Sequence, residues 1–489
     1  LLVASAAFAV VPTAAASSTL VVDANGEAGS YTSVQAAVDA ATPGDTVEVR
    51  PGTYAESVTV GTANVSVVGE PGVVIAGNAT GVDVTAPNVS LRAVTTTNVS
   101  VADDDTTVRN VTVANGSDTG LELIDADRVT VAELTVQEGY EFGVSANRSD
   151  GLTLESIATE NTTIGLAVRQ GSGLDVRGAT FSGEFGRGER GITVANATAP
   201  SFSNVTTYRH LLGVRVANST GVVIDDAELN GGGLGVRDSR NVTIREPTVS
   251  DAATTGLGMV SVRNGSVRNG SFERTGGVSI FATGNVTFRD NSVTDSGPDS
   301  FFLGSPVEPR NDIDRSNTVD GDPIYHLVGA DDRVVEGGDP AAVFVLDSDN
   351  LTVRNQSLDG TPTAVTGWNA SFSVRNVSVR DSSSGVAAHD GALSLRDVRV
   401  NGSVTGIVTR NTTTTARNLS IVDPGDIGGI NDIGIDASDG VTTLRNVTIT
   451  GQNTGIGGST VTLRNSTVAV SNLGIDAERS LTVSNSSVR

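Results

Sequence analysis

The sequence repeats a short pattern at nearly constant intervals along most of its 489 residues. "GVRVANSTGVVI" begins at Gly213, and "GLGVRDSRNVTI" begins twenty residues later at Gly233. The first series of these glycine-led units has gaps of 23, 22, 26, 22, 20, 23 and 21 residues and begins at Gly120, Gly143, Gly165, Gly191, Gly213, Gly233, Gly256 and Gly277. A second series begins at Gly385, Gly406, Gly434, Gly455 and Gly474. Such repetition predicts a solenoid, because one unit cannot bury its own apolar side chains and must stack on its neighbours.

Each unit of about 22 residues contains short segments in which apolar and polar residues alternate, as in "GVRV" and "NVTI". Alternation of period two is typical of β-strands. The chain is 38% hydrophobic but only 4% aromatic, and it has 57 Gly, which favours short strands and tight turns over long helices. Leucine-rich, helical and propeller repeats each require a pattern or a period that is missing here. The sequence therefore predicts an all-β, right-handed parallel β-helix solenoid with strands about 4.8 Å apart.

One segment near the N-terminus has a different pattern. "SVQAAVDAATPGD" places Val34, Ala37, Val38 and Ala41 on one face of a helix, with Ser33 as its N-cap. Pro43 and Gly44 end this helix. We expect a short helix that covers the open end of the β-helix and blocks edge pairing.

Three stretches resemble known β-helix families. "YTSVQAAVDAATPGDTVEVRPGTYAESVTV" (Tyr31–Val60) resembles the first segment of pectin-lyase-like proteins, including pectin methylesterases. "SNTVDGDPIYHLVG" (Ser316–Gly329) is similar to an element of NosD-type periplasmic proteins, in which a fresh series of coils follows. The "NVTVRN"-type coils are similar to those of archaeal surface proteins. These resemblances cover nearly the whole chain and imply the fold, but the fold hosts many activities.

The repeat rhythm also predicts how the chain is divided. Residues 1–18 are expected to be the remnant of a signal peptide, because an apolar run precedes small residues there. Residues 19–305 form a first β-helix module with its N-terminal cap, and residues 342–489 form a second. Between them lies an inter-module element at 306–341, where the rhythm breaks and Pro and Asp are frequent.

The charge pattern excludes some partners. The net charge is −24, from 32 basic and 56 acidic residues, and no residue is Lys. This charge opposes binding to nucleic acid or to an anionic membrane. Together with the lack of Lys, it resembles the composition of proteins from salt-loving archaea. With the signal-like start and no apolar stretch long enough to span a membrane, we expect an extracellular or cell-surface protein.

The motifs of polysaccharide-active β-helix enzymes are incomplete in this sequence. "GPDSFFLG" approaches the methylesterase pattern but places Asp299 one residue early, which reverses its face on a strand. The polygalacturonase pattern matches only through Asp225, Asp226 and His389, without its flanking glycines or its Lys. Since Cys is absent and His and Met are rare, no copper or other soft-metal cofactor is expected. Bound Ca²⁺ is an alternative at Asp103–Asp105 and Asp331–Asp332, where solvated charge is the simpler interpretation.

The turns that precede successive repeat glycines predict one candidate site, because equivalent turns of adjacent coils lie above one another. Those turns collect candidate carbohydrate-binding residues at Tyr140, Phe142, Phe185, Arg187, Tyr208 and Arg209. Aromatic rings stack on sugars, and Arg binds their acidic groups. Glu189, Arg190 and His210 in the same turns are the candidate catalytic residues. The alternative is a row of solvated turn residues with no ligand.

About 25 Asn-x-Ser/Thr sequons occur along the chain. Asn115, Asn161, Asn196, Asn218 and Asn411 are candidate glycosylation sites in an exported protein. The alternative is structural: in "NVTV", Asn makes the turn, Val points inward and Thr points outward.

Two functions remain open from the sequence. One is an exported structural or display protein that binds glycans or components of the cell envelope. The other is a lyase, hydrolase or esterase acting on an acidic polysaccharide, built on the same solenoid.

Overall fold

The computed structural model describes residues 17–77, 81–183, 189–296, 300–304, 311–360, 363–422 and 432–489. The chain divides into two compact units, Leu1–Ser182 and Gly183–Arg489. Within the described residues, one helix and 47 strands are present, which confirms the predicted all-β fold.

The first unit contains the helix α1 (Val34–Ala40) and the strands β1 (Thr19–Val22), β2 (Thr46–Val49), β3 (Gly52–Tyr54), β4 (Val58–Val60), β5 (Ser66–Gly69), β6 (Val73–Ile75), β7 (Val82–Val84), β8 (Ser90–Arg92), β9 (Thr95–Thr96), β10 (Val99–Val101), β11 (Thr107–Val113), β12 (Thr119–Ile124), β13 (Thr130–Val136), β14 (Phe142–Asn147), β15 (Thr153–Thr162), β16 (Ile164–Ser172) and β17 (Asp175–Gly183), the last of which ends at the boundary.

The second unit begins with β18 (Arg190–Thr198), β19 (Ser201–Tyr208), β20 (Leu212–Ala217), β21 (Val223–Asn230), β22 (Gly233–Arg237), β23 (Arg240–Arg245), β24 (Thr248–Ser250), β25 (Leu257–Val260), β26 (Arg263–Arg268), β27 (Ser271–Glu273), β28 (Val278–Phe281), β29 (Gly284–Arg289), β30 (Ser292–Thr294), β31 (Phe301–Gly304), β32 (Asp312–Ile313) and β33 (Thr318–Val319). It continues with β34 (Asp322–Val328), β35 (Val334–Glu336), β36 (Ala342–Leu346), β37 (Asp349–Asp359), β38 (Thr363–Trp368), β39 (Ser371–Arg380), β40 (Ser384–Asn401), β41 (Thr405–Val422), β42 (Ile433–Arg445), β43 (Thr448–Thr450), β44 (Thr454–Arg464), β45 (Thr467–Ala469), β46 (Leu473–Ser484) and β47 (Ser487–Val488).

Strands of successive coils pair in parallel, as a β-helix requires. In the first unit β4, β7, β10, β12, β14 and β16 form one continuous ladder. In the second unit β36, β38, β40, β41, β42, β44 and β46 form another. Equivalent residues of adjacent coils therefore lie directly above one another within each unit.

At each turn the chain bends from one face of the β-helix to the next, and many of the residues at these turns are Asn or Asp with positive φ. Asn110, at φ 51°, bends β11, so that its first half pairs with β8 and its second half with β9. After this turn Val111 is buried and Thr112 is half-buried, as the interpretation of "NVTV" predicts. Asn and Asp adopt this conformation at low cost, which explains their recurrence.

The core consists mostly of stacked Val, Leu and Ile side chains. The helix α1 confirms the predicted cap: Val34, Ala37 and Val38 are buried, and the Ser33 hydroxyl accepts a hydrogen bond from the Ala36 N–H. The carboxylate of Glu56 accepts hydrogen bonds from the Val34 N–H at 2.7 Å and from the Ser33 hydroxyl at 2.6 Å.

The predicted inter-module element contains a local change of direction. Strands β33 and β34 pair antiparallel at Val319 and Asp322, whereas the other strand pairs of the described residues are parallel. Residues 306–310 of this element lie outside the described residues. The boundary between the compact units lies elsewhere, after Ser182, so the module limits drawn from the repeat rhythm stay a prediction.

Within the described residues, no helix is long and apolar enough to cross a membrane.

Candidate functional site

The residues of the predicted turn site belong to both units, and each unit is described separately. In the first unit Phe142 is half-buried and lies in register with Thr119 and Ile164, as the stacking of turns predicts. Tyr140, by contrast, is only 2% exposed. Its hydroxyl donates to the Thr97 carbonyl at 2.6 Å and accepts from the Gly116 N–H at 2.8 Å. Tyr140 therefore supports the turn from inside and does not lie on the surface expected from the sequence.

In the second unit the candidate catalytic residues differ in their exposure to solvent. The Glu189 side chain is 58% exposed, and its carboxylate lies 3.9 Å from the Arg190 guanidinium. His210 is only 2% exposed. The two side chains of this candidate pair therefore differ strongly in exposure, and their catalytic role stays a prediction.

The other turn residues of this unit form a small surface contact. The guanidinium of Arg209 lies 6.0 Å from the centre of the half-buried Tyr208 ring. The candidates Phe185 and Arg187 lie outside the described residues.

Arg215 was not predicted from the sequence as a site residue; it lies on the outer face of β20 close to Arg190 and Arg237. Burial lowers the pKa of Arg215, and the positive charges of Arg190 and Arg237 lower it further. The next positions of this outward row are Gly235 and Gly258, which leave the backbone bare. The three arginines make a small basic patch, and their sequence separations gave no signal for it.

The candidate glycosylation residues occupy turns. Asn115, Asn161, Asn196, Asn218 and Asn411 all have φ between 49° and 64°. Four of them are exposed, whereas Asn161 is half-buried. Asn411 donates a hydrogen bond to Asp390 on the neighbouring coil at 2.8 Å, so its amide already has a structural role.

The acidic runs considered for Ca²⁺ make contacts within the protein. Asp105 binds the Arg128 guanidinium at 2.7 Å, and Asp331 accepts the Asp349 N–H at 2.8 Å. No group of three or more potential metal ligands occurs in the part of the chain that the structure describes.

A larger basic surface lies in the second unit, on the coils from β37 to β44. Six arginines occupy the same position on successive coils and are aligned directly above one another: Arg354, Arg375, Arg396, Arg417, Arg445 and Arg464. All six are exposed. The backbones of adjacent members are about 4.8 Å apart, which is the spacing between paired strands.

A row of hydroxyl side chains runs beside the arginines, two residues earlier on each strand. Its members are Thr352, Ser373, Ser394, Thr415, Thr443 and Thr462. We call these two rows the arginine face. A shallow groove of about 490 Å³ lies along it, lined by residues of both rows.

Most guanidinium groups of the arginine face lack a carboxylate partner. Arg354 binds Glu336 at 2.6 Å, and Arg396 lies 3.5 Å from Asp397. The others have no ion-pair partner among the described residues: Arg375, Arg417, Arg445 and Arg464. Shorter rows of aligned arginines occur elsewhere in the described residues, such as Arg245, Arg268 and Arg289, but the row of six is longer. Stacked like charges repel each other, so the surface favours an anion that bridges several coils.

Elsewhere in the molecule, arginines form ion pairs with carboxylates on neighbouring coils, unlike most arginines of the arginine face. Arg148 lies 2.6 Å from Asp125, and Arg274 lies 2.7 Å from Asp251, each on a neighbouring coil. β39, β40, β41, β42 and β44 each have two outward positions on the arginine face and a third two residues before them. These positions carry Ser, Thr, Ala, Val or Arg and no carboxylate. The sequence signal was the recurring Arg-Asn or Arg-Asp pair at the turns, which appears when the repeats are aligned on Asn.

Comparison with known proteins identifies the fold family. The profile of the family described as "Right handed beta helix region" matches residues 71–208 and 188–370. The chain belongs to this family. The match confirms the right-handed parallel β-helix that the repeat predicts. No curated protein sequence matches this chain.

Solved structures similar to this right-handed β-helix protein include polysaccharide-active enzymes. The PL6-family alginate lyase AlyGC is 12% identical with a TM-score of 0.31, over 92% of this chain and 84% of that one. Pectate lyase Pel9A is 14% identical with a TM-score of 0.34, over 61% of this chain and 79% of that one. The catalytic domain of a GH87 α-1,3-glucanase is 13% identical with a TM-score of 0.25, over 83% and 67%. At these identities the likeness concerns the fold alone.

Proposed function

We propose that this chain is an exported display protein whose second unit binds an acidic polysaccharide on the arginine face without cleaving it. The observation that carries this proposal is the row of six aligned arginines, four of them without an ion-pair partner among the described residues. The apolar run within residues 1–18 supports export.

The ligand class follows from the chemistry of the arginine face. Guanidinium groups bind carboxylates through two parallel hydrogen bonds, and the adjacent hydroxyl groups donate to or accept from sugar hydroxyls. A linear polymer with one acidic group per sugar can place successive charges on successive coils. Single-stranded nucleic acid fits less well, because its binding sites combine positive charge with aromatic rings that stack on bases. None of the outward positions of the arginine face is aromatic.

Binding without cleavage follows from what surrounds the arginines. The outward strand positions beside Arg375, Arg417, Arg445 and Arg464 hold no carboxylate or His, and the carboxylates nearest the row, Glu336 and Asp397, lie beside the arginines Arg354 and Arg396. Every arginine of this face is exposed, so water is not excluded from a bound polymer.

The test measures polygalacturonate binding and polymer length together. The triple variant Arg375→Gln/Arg417→Gln/Arg445→Gln should bind polygalacturonate at least tenfold more weakly than the wild type. A matched triple variant of ion-paired arginines in the first unit, Arg109→Gln/Arg128→Gln/Arg148→Gln, should bind within threefold of the wild type. The polymer should keep its length throughout. Equal loss in both triples, or shortening of the polymer by the wild type, would overturn this proposal.

A second candidate function is hydrolysis at the outer face of the first unit. Asp83, Ser100 and Glu122 are in register on β7, β10 and β12. Burial raises the pKa of Asp83, as a general acid requires. Asp83 and Glu122 are two coils apart, so their backbones are separated by about 9.6 Å across the stacked strands. This is near the separation of the two carboxyl groups in inverting glycosidases. If the wild type shortens any polysaccharide and Asp83→Asn abolishes that activity, this candidate replaces the binding function.

A further inference from the structure

A cluster of aromatic rings lies on the outer face of the second unit, apart from the arginine face. Phe344, Trp368 and His389 come from the adjacent strands β36, β38 and β40. The centres of the Phe344 and Trp368 rings are 6.2 Å apart at 17°, and those of Trp368 and His389 are 6.0 Å apart at 11°. Val343 precedes Phe344, Ala388 precedes His389, and both point into the core. Val365, also in the core, is three positions before Trp368 on the same strand. Because side chains alternate along a strand, all three rings point outward.

The rings border a cavity of about 210 Å³. Its lining consists of Phe301, Phe302, Leu303, Phe344, Thr363, Thr366, Trp368, Ala387 and His389. A cavity of about 150 Å³ holds benzene, so this one has the size for a single six-membered ring with substituents. Among the described residues, no Arg, Asp or Glu lines it, and burial, followed by the charge of Arg410, lowers the pKa of His389. The described part of the lining is therefore uncharged near neutral pH, and a buried charged ligand would be disfavoured there.

Two polar groups in this cavity lack a partner. Thr366 is only 3% exposed, and neither its hydroxyl nor the buried Trp368 Nε1 has a hydrogen-bond partner among the described residues. Buried polar groups normally have one. The two residues are two positions apart on β38, about 6.6 Å along the strand. A ligand that satisfies both groups needs hydrogen-bonding atoms at separate points of its ring.

We propose that this cavity binds one uncharged sugar ring, which packs against the aromatic side chains and makes hydrogen bonds with Trp368 Nε1 and the Thr366 hydroxyl. A pyranose carries hydroxyl groups at several points around an otherwise apolar ring, which matches the two separated polar groups. A simple phenol carries only one such group. The site is independent of the arginine face and takes a neutral ligand, whereas that face takes a charged one.

The chain has a single Trp, so the fluorescence of Trp368 reports on this cavity alone. The full chain is titrated with the methyl glycosides of glucose, galactose and mannose, with glucuronate and with phenol. Calorimetry provides a second measure of binding. We expect a saturable change in emission with at least one neutral glycoside and a response at least tenfold weaker to glucuronate and to phenol.

Three variants locate the response. Ala387→Leu fills the cavity and should weaken binding at least tenfold, whereas Thr366→Val removes one hydroxyl and should weaken it about three- to tenfold. Val408→Leu is the matched control, because Val408 is the next residue of the same outward row and does not line the cavity, and its binding should stay within twofold of the wild type.

Three results would overturn this assignment. The first is the lack of a saturable response by either method in protein with a native circular dichroism spectrum. The others are a stronger response to phenol or glucuronate than to every glycoside, and binding by Ala387→Leu equal to that of the wild type. Loss of polygalacturonate binding in the arginine triple variant with an unchanged glycoside response would show that the two sites are separate.

Discussion

At the scale of single residues, the repeated glycines are required by the close approach of neighbouring coils. A Cβ atom built on Gly143 would lie 2.6 Å from the Gly165 carbonyl oxygen, and one on Gly191 would lie 2.6 Å from the Gly213 carbonyl oxygen. Real Cβ atoms do not approach backbone oxygens this closely. Each glycine therefore makes room for the next coil, which explains why the pattern recurs through the sequence.

This explanation predicts different costs for two glycines of the second unit. On Gly434 a Cβ would lie 2.6 Å from the Gly455 carbonyl oxygen, but on Gly457 its nearest neighbour would be 4.0 Å away. Gly434→Ala should lower the free energy of unfolding by about 1–3 kcal/mol, as for other overpacked sites. Gly457→Ala should change it far less. Guanidinium denaturation of both variants checks this, and equal midpoints would contradict the explanation.

A second residue-scale prediction concerns pH. Burial lowers the pKa of His326 to about 4, whereas the unfolded value is about 6.5. Between these values the unfolded chain binds a proton that the folded chain does not, so stability falls as the pH drops from 6.5 to 4. The slope from His326 should approach about 1.4 kcal/mol per pH unit.

Urea denaturation between pH 7 and pH 4 measures this slope. His326→Gln should remove this contribution, whereas His389→Gln should retain it. An unchanged slope in His326→Gln would show that His326 is protonated as easily in the folded state as in the unfolded state.

At the scale of elements, α1 depends on a contact with the chain that follows it. Glu56 accepts the N–H groups of Val34 and Gln35, so a residue after the helix stabilises its first turn. The capping hydroxyl could be predicted from the sequence at Ser33. The role of Glu56 could not, because it depends on how the coil returns beneath the helix.

We expect Glu56→Ala to lower the stability of the first unit by about 1–2 kcal/mol, since two backbone donors lose a charged acceptor. Glu70→Ala is the control, because the Glu70 side chain makes no hydrogen bond or ion pair within the described residues. Thermal melting followed by circular dichroism compares them. Equal loss in both variants would contradict the capping role.

The arginine face makes an element-scale prediction about salt. Arg417 lies between two like charges in the row, whereas Arg354 is paired with Glu336. At low ionic strength Arg417→Gln should raise the stability of the second unit by about 0.2–1 kcal/mol, and Arg354→Gln should not. In 1 M salt the gain should vanish, because charges are screened within about 3 Å. Denaturation at both salt concentrations measures it, and a gain that persists in 1 M salt would not be electrostatic.

At the scale of the whole molecule, the sequence was most informative where one coil repeats the next. Strand alternation, the turn residue Asn110 and the helix capped by Ser33 each follow from local chemistry, and the structure confirms them. Tyr140 was misplaced because an aromatic residue in a turn can fold inward when its hydroxyl finds backbone partners.

The arginine face was missed for a different reason. Its members are separated by 21, 21, 21, 28 and 19 residues, so counting along the chain does not align them. The register between strands shows that Arg417 and Arg445 are neighbours despite the longer insertion between them. Alignment of the repeats on the Asn or Asp that follows each Arg is the sequence signal that would have placed them together.

The central claim is that a row of arginines binds an acidic polysaccharide, and the salt dependence of polygalacturonate binding tests it most directly. Each charge contact with a single-stranded nucleic acid contributes about 0.7 to the magnitude of the slope of log K against log salt, and we take the same value for polygalacturonate. From the four arginines without an ion-pair partner we expect a slope of about −3 for the wild type and about −1 for Arg375→Gln/Arg417→Gln/Arg445→Gln, measured between 50 and 200 mM salt. The same slope in both proteins would show that the polymer binds elsewhere and would contradict this account.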